Sequence, residues 1–511
     1  MAQSTVTDHA ALRFGAPEFE DIQGIARFGY GNLTSACFYL LRIADLALAR
    51  EWLRNAPVSN AVARNPPPET ALQVAFSVDG LRALGMVPAV LEGFSAEFLS
   101  GMAGEEARSR RLGDIGTNSP GTWRWGAGSV PHLLVMTYAT PARFELWKRE
   151  LTGSLWDRAF SKLEELTTSD MGGREPFGFV DGISQPIFDW ERRLELQNVE
   201  AEYRNLTMLG ELLLGYPNEY GKYTDRPVLE PSADPDALLP PAEDRPNTRD
   251  LGRNGTYVVF RDLRQDVRCF WQFLAAEARA ANRTPQALAE AMVGRTIEGD
   301  PLVPWGENDV LADELPDESR RNQFTFNRDT EGVHCPFGAH IRRANPRTAD
   351  VPPGTDSALK RLVQTLGLAP QRARDDVIAS ARFHRILRRG REYGTALSSD
   401  DALQPGSESE ERGLRFLCLN ANIARQFEFV QNAWIMSTKF GGLTEESDPL
   451  LGNREAIAGS RLSGAFSLCR GDGVRHRLRG LPQFVTVRGG GYFFLPGLRA
   501  LKYLASRVCR L

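Results

Sequence analysis

The sequence predicts a mixed α+β protein made of two similar halves, each a sheet covered by helices. Three observations carry this. Short apolar runs rich in strand formers alternate with stretches whose apolar residues recur at helical spacing. The alternation occurs in two rounds, and a Pro- and acid-rich segment of little periodicity separates them. In the first round Ala36 to Ile43 (ACFYLLRI) reads as a strand and Ala44 to Leu53 as a helix. Leu72 to Phe76 (LQVAF) and His132 to Tyr138 (HLLVMTY) read as strands, and Pro141 to Leu163 as a helix. From Trp190 to Gly252 the composition changes (RPVLEPSADPDALLPPAEDRPNTRD), which predicts an insertion and linker. In the second round Thr256 to Phe260 (TYVVF) reads as a strand, Phe270 to Ala281 as a helix, Phe416 to Leu419 as a strand and Ile423 to Met436 as a helix. The last part, with FVTVRGGGYFFLPG, reads as a strand-rich extension.

At 511 residues the chain exceeds the usual size of one hydrophobic core, so two packed units are expected. A hydrophobic share of 42% and a charged share of 25% suit a globular protein. The net charge of −4, with no long block of Lys or Arg, argues against nucleic acid as a partner. No window reaches the roughly 18 apolar residues that a spanning helix needs, so no membrane is expected. The first residues, MAQSTVTDHAALRFGAPEF, lack a basic stretch followed by an apolar one and lack a twin-Arg pair, and a cytoplasmic location is the expectation. Six scattered cysteines without a CxxC pair predict reduced, mostly buried thiols.

There are only six histidines, with no HExxH or paired spacing, which disfavours multi-histidine metal sites. His340 lies in CPFGAHIRRANPR, where Arg342, Arg343 and Arg347 follow closely. A neutral imidazole suits a single axial bond to haem iron, and guanidinium groups suit the haem propionates. Asp181 lies in EPFGFVDGISQP between Gly178 and Gly182. Glycines let a backbone turn sharply against a flat ligand, and an Asp in apolar surroundings can exchange a proton. ILRRGREYG offers Arg388, Arg389 and Arg391. Taken singly, each has an ordinary explanation: a structural histidine, an Asp-Gly turn, a solvated basic loop.

Together the three segments resemble the signature of the dye-decolourising peroxidases: GFVDG with ISQP, CPFGAHIRRANPR and RGREYG, in that order. The resemblance extends from DIQG at Asp21 to the VRGGGYFF run, so it spans nearly the whole chain, and the long middle and C-terminal segments resemble the larger bacterial members. It implies two ferredoxin-like halves, residues 20–190 with the GFVDG motif and 253–440 with haem b, separated by an insertion at 191–252 and followed by an extension at 441–511. It implies His340 as axial ligand of the haem iron, Asp181 as distal acid–base group and Arg388 as distal charge stabiliser, with Arg389 as the neighbouring alternative. Arg342, Leu414 and Phe416 are implied as further haem-contacting residues. Many members of the family carry an acidic residue behind the proximal imidazole, and here the matching position is Ala424. Asn422, Glu428, a backbone carbonyl or a water is left to take that role.

The implied activity is oxidation of dyes, phenols or other small aromatic donors by hydrogen peroxide through an oxyferryl intermediate, with oligomerisation left open. Two other readings stand beside it. One is a haem-binding or haem-transfer protein with little turnover. The other is a flavin or nucleotide enzyme using RGGG at Arg488 to Gly491, which lacks GxGxxG spacing.

Overall fold

The computed structural model describes residues 17–192, 206–303, 321–322, 324–326, 328–347, 381–406, 410–455, 464–469 and 475–506. Nine strands among them form one antiparallel sheet, and its strand order reveals two halves of the same design.

The first half supplies β1 (Ser35–Ile43), α1 (Leu46–Asn55), β2 (Thr70–Phe76), β3 (Leu133–Ala139), α2 (Pro141–Leu151) and β4 (Phe160–Thr167). The strands pair in the order β2-β3-β1-β4, the βαββαβ arrangement of a ferredoxin-like unit. The second half supplies β5 (Thr256–Gln265), α3 (Val267–Ala281), the short β6 (Leu387–Arg388) and β7 (Arg391–Tyr393), β8 (Gly413–Asn420) and β9 (Val485–Leu495). Here the order is β8-β5-β9, with β6 and β7 on the outer side of β8, so the pair takes the place that β2 holds in the first half. Phe494 of β9 pairs with Phe76 of β2 and makes the sheet continuous.

The patterning explains most of these elements. β5 is buried along nearly its whole length, which is why TYVVF shows no alternation. In α3 the buried residues Val267, Phe270, Trp271, Leu274, Ala278 and Ala281 follow helical spacing. Its first turn is closed by the Asp266 side chain, which accepts from the Cys269 N–H, and its end by Asn282 at a φ of +52°. Each large apolar side chain so buried contributes about 1.5–3 kcal/mol.

Two elements differ from expectation. The helix expected from Pro141 to Leu163 ends at Leu151, and after a short turn of helix (Ser154–Ala159) FSKLEELT runs as strand β4. Glu, Lys and Leu favour helix locally, but pairing with β1 supplies the main-chain hydrogen bonds, and Glu165 is held by Lys148 and Lys162. Such charged side chains are at home on the sheet's edge. The stretch from Ile423 to Met436 is helical but wound as π-turns, Ala424–Glu428 and Val430–Met436, a form that recurs at functional sites.

The glycines of RGGG lie inside β9. A Cβ on Gly489 would sit 2.4 Å from the Trp125 ring nitrogen, so this glycine serves close packing, which removes the ground for a phosphate-binding loop. Among the described residues no helix is long and apolar enough to cross a membrane.

Candidate active site

The second half of the sheet forms one wall of a cavity of about 250 Å3, lined by Leu263 and Gln265 of β5, Leu414 and Phe416 of β8 and Val485 of β9. Asp181, His340 and Arg388 line the same cavity, although 207 residues separate the first from the last.

Asp181 is carried by a loop folded back on itself. Its N–H donates to the Gly173 carbonyl at 3.0 Å, and the Glu175 N–H donates to the Phe179 carbonyl at 2.9 Å. Gly178 and Gly182 flank it at φ values of +103° and +81°, which L side chains rarely adopt. Arg388 ends β6. Its Nη1 donates to Asp181 Oδ1 at 3.0 Å, its backbone N–H to Gln185 Oε1 at 3.0 Å and its Nη2 to the Ser184 carbonyl at 3.4 Å. The segment ISQP after the motif thus grips the arginine that Asp181 pairs with. Arg389 points elsewhere, its guanidine donating to the carbonyls of Ile25 and Arg27, as the alternation of side chains along an extended chain requires. Gly390 lets the chain pass β8, because a Cβ there would lie 2.7 Å from the Arg415 carbonyl.

The Asp181 and Arg388 side chains keep 40% and 30% of their surface, and both line the cavity. That surface therefore faces the cavity rather than bulk water. Burial alone would raise the Asp181 pKa, but the Arg388 guanidinium, the Gly182 N–H and His340 outweigh it and hold the carboxyl below the usual carboxylate range.

His340 opens a short helix, α4 (His340–Ala344). Its Nδ1 lies 2.9 Å from Asp448 Oδ2, and the Asp448 side chain is fully buried. Asp448 Oδ1 accepts the N–H groups of Leu450 and Leu451, both at 2.9 Å. Burial would raise the Asp448 pKa, but His340, the Leu451 N–H and Arg343 lower it below the usual range. Conversely, burial would lower the His340 pKa, and the Asp448 carboxylate raises it instead. An ionised Asp448 fixes the proton on Nδ1 and leaves Nε2 with its lone pair for the cavity.

The expected stand-ins for this carboxylate lie elsewhere. Glu428 accepts from the Tyr492 hydroxyl at 2.8 Å and pairs with Arg108, and Asn422 accepts from the Arg425 N–H. Leu414 and Phe416 line the cavity as expected. Arg342 is not brought to it, since Asp329 and the Cys335 carbonyl hold its guanidinium. Arg343 is spent on the carbonyls of Trp434, Ser437 and Glu446, and Arg347 binds Asn322 and the Phe324 carbonyl. Besides Arg388, the arginines that line the wall are Arg295, which donates to the Gly299 and Arg321 carbonyls and Ser184 Oγ, and Arg385, which donates to the Leu206 carbonyl and Thr207 Oγ1; sequence reasoning singled out neither.

No family model matches the chain. It is 28% identical over 515 residues to a dye-decolorizing peroxidase of Mycetinis scorodonius, covering 95% of this chain and 87% of that protein. The chain is a homologue of the dye-decolorizing peroxidases. A multifunctional dye peroxidase of an Amycolatopsis species is 30% identical over 351 residues, 66% of this chain and 62% of that protein. Among solved structures, a DyP-type peroxidase from an Anabaena species matches with a TM-score of 0.68 and 21% identity, covering 95% of this chain and 94% of that one. A variant of a decolorizing peroxidase from Auricularia auricula-judae matches with a TM-score of 0.69 and 25% identity over 96% of this chain and all of that one, its coverage being 100%. The dye-decolorizing peroxidases therefore share this fold over nearly the whole chain, including both ferredoxin-like halves.

Proposed function

We propose that the chain is a haem b peroxidase that uses hydrogen peroxide to oxidise dyes, phenols or other small one-electron donors. The observation that carries this reading is that one deep, largely apolar cavity is lined by both an imidazole backed by a buried carboxylate and a second carboxylate paired with a guanidinium.

The residues present fit haem. The cavity offers the His340 imidazole with Nδ1 held by Asp448, apolar side chains such as Ile341, Leu414 and Phe416, and the positive charge of Arg295 and Arg385 to offset the propionates. Bound there, haem would supply the redox centre that gives two electrons to peroxide and regains them one at a time from the donor. His340 would hold the iron, and Asp448 keeps its ring oriented and electron-rich. Asp181, ionised, would take a proton from one peroxide oxygen and return it to the other, which leaves as water. Arg388 stabilises the negative charge that develops as the O–O bond breaks. Leu414 and Phe416 keep bulk water out, which strengthens both effects.

Spectra of the haem-loaded protein with and without peroxide test the reading. A Soret band that shifts on peroxide addition and returns as a dye is bleached is the expected result. A Soret band indifferent to peroxide would make the chain a haem carrier instead.

Asp448→Asn keeps the size of the side chain and removes its charge. Haem affinity or peroxidase rate is expected to fall about 10- to 100-fold. A haem titration read at the Soret band, with a rise in the midpoint potential, checks it.

A further inference from the structure

We propose that Glu175 is a positioning residue for the distal pair, its carboxyl group holding the loop that presents Asp181 to Arg388. The proposal rests on the peroxidase reading and adds to it a residue that neither the motif nor the axial ligand accounts for.

Glu175 stands six places before Asp181 in EPFGFVDG and itself lines the cavity. Its Oε2 accepts the Phe177 N–H at 3.1 Å and the Gln265 Nε2 at 2.6 Å, and its Oε1 accepts the Phe179 N–H at 3.3 Å. Two of these donors belong to the turn that contains Gly178, and the third belongs to β5. One carboxyl group therefore shapes the turn and ties it to the sheet. Its own backbone closes the same turn, through the Gly178 N–H to the Glu175 carbonyl at 2.8 Å. A loop rich in glycine has little stiffness of its own, so the place of Asp181 depends on such ties.

The tie has two protonation states. Three N–H donors favour the carboxylate, but burial outweighs them and Asp181 adds repulsion, so the Glu175 pKa is pushed up to about 7. Other charges are directed elsewhere: the Arg174 guanidinium beside it is turned to Glu298 and to the carbonyls of Gly178 and Ile297. β5 presents the neutral Gln265, α3 presents Phe270 against Phe177, and Arg388 and His340 lie on other walls of the cavity. Above about 7 the ionised group collects all three donors. Below it the group carries a proton, and Gln265 offers the acceptor, because its Oε1 is buried without a hydrogen-bond partner. Turning that amide lets the Glu175 hydroxyl donate across the same 2.6 Å, a length usual for O–H···O. Asp181, held below the carboxylate range, is ionised on both sides of this change.

The test uses the full, haem-loaded chain and compares Glu175→Gln and Gln265→Leu with the wild type. The rate of reaction with peroxide is measured across the acid and neutral range, and the carboxylic acid C=O band is followed by infrared difference spectroscopy over the same range. The wild type is expected to show a step in rate near pH 7, with the C=O band titrating at the same place. Glu175→Gln is expected to react about 10- to 100-fold more slowly, to lose both the step and the band, and to keep its affinity for the dye. Gln265→Leu removes a donor that favours the ionised form, so the step and the band move to higher pH. A Glu175→Gln protein with the wild-type rate and step overturns the proposal. So does a loss uniform in pH that leaves the step in place. Should Glu175→Gln fail to fold, an unmoved step in Gln265→Leu overturns it. A wild type that never reacts with peroxide overturns the peroxidase reading and this proposal with it.

Discussion

Asp181→Asn is expected to slow the reaction with peroxide by about 10²- to 10⁴-fold, the range of general acid–base catalysis. Asparagine fills the same space and can still accept from Arg388 Nη1 through its carbonyl, so the distal wall keeps its shape. What it loses is the capacity to take a proton and return it. Haem content and the resting Soret band are therefore expected to match the wild type, and stopped-flow rates at the Soret band separate the effects. The pH dependence sharpens the test. Asp181 works as a base only when ionised, and its pKa lies below the usual carboxylate range because Arg388, Gly182 and His340 outweigh burial. Below the step that Glu175 sets near pH 7, the wild-type rate should hold into the mildly acidic range and fall again only as pH drops through that lowered value. The variant should lack this acid limb. The same sign applies to folding: a carboxyl whose pKa is depressed in the native state adds stability above its unfolded value, and that contribution is lost as pH falls through the native one. Asp181→Asn should thus be less stable than the wild type near neutrality, with a gap that closes in acid.

His340→Ala is expected to abolish the Soret band at haem concentrations that saturate the wild type, since it removes the cavity imidazole proposed above to hold the iron. A second effect arises without haem. Asp448 is fully buried, and its Oδ2 faces the His340 ring. Deleting the ring leaves a buried carboxylate short of its partner, which costs about 3–5 kcal/mol in proteins generally. The Leu450 and Leu451 N–H groups still hold Oδ1, so the lower end of that range applies. Chemical denaturation of the apoprotein measures it. Pairing the change with Asp448→Asn, which removes the stranded charge, should recover part of the loss, and the non-additivity gives the coupling of the pair.

The proximal carboxylate marks where sequence reasoning stopped. Asp181, His340 and Arg388 were singled out because their three segments, each ordinary when taken alone, together resemble one family's signature, and the fold brings all three to one cavity. Asp448 lies in SDPLLGN, where nothing nearby signals a partner 108 residues away. The search went instead to Ala424, Asn422 and Glu428, in a helical segment whose acid is taken by Tyr492 and Arg108. The arginines after His340 misled for a related reason. Their number suggested propionate partners, but in the fold Arg342 and Arg343 lie off the cavity, while Arg295 and Arg385, which also donate to carbonyls, line it from distant segments.

Secondary structure divides along the same line. β1, β5, α1 and α3 follow from apolar periodicity, because each presents a face or a whole strand to the core. β4 does not, since FSKLEELT has the composition of a helix and becomes a strand only because β1 offers an edge. Identity of the chemical groups, alternation of strands with helices and the glycine-governed turns are local properties, and a linear chain displays them directly. Which carboxylate backs His340, which guanidinium faces Asp181 and which carboxyl braces its loop are pairings between distant segments. Burial sets their strength, so they exist only once the two half-sheets close around the cavity.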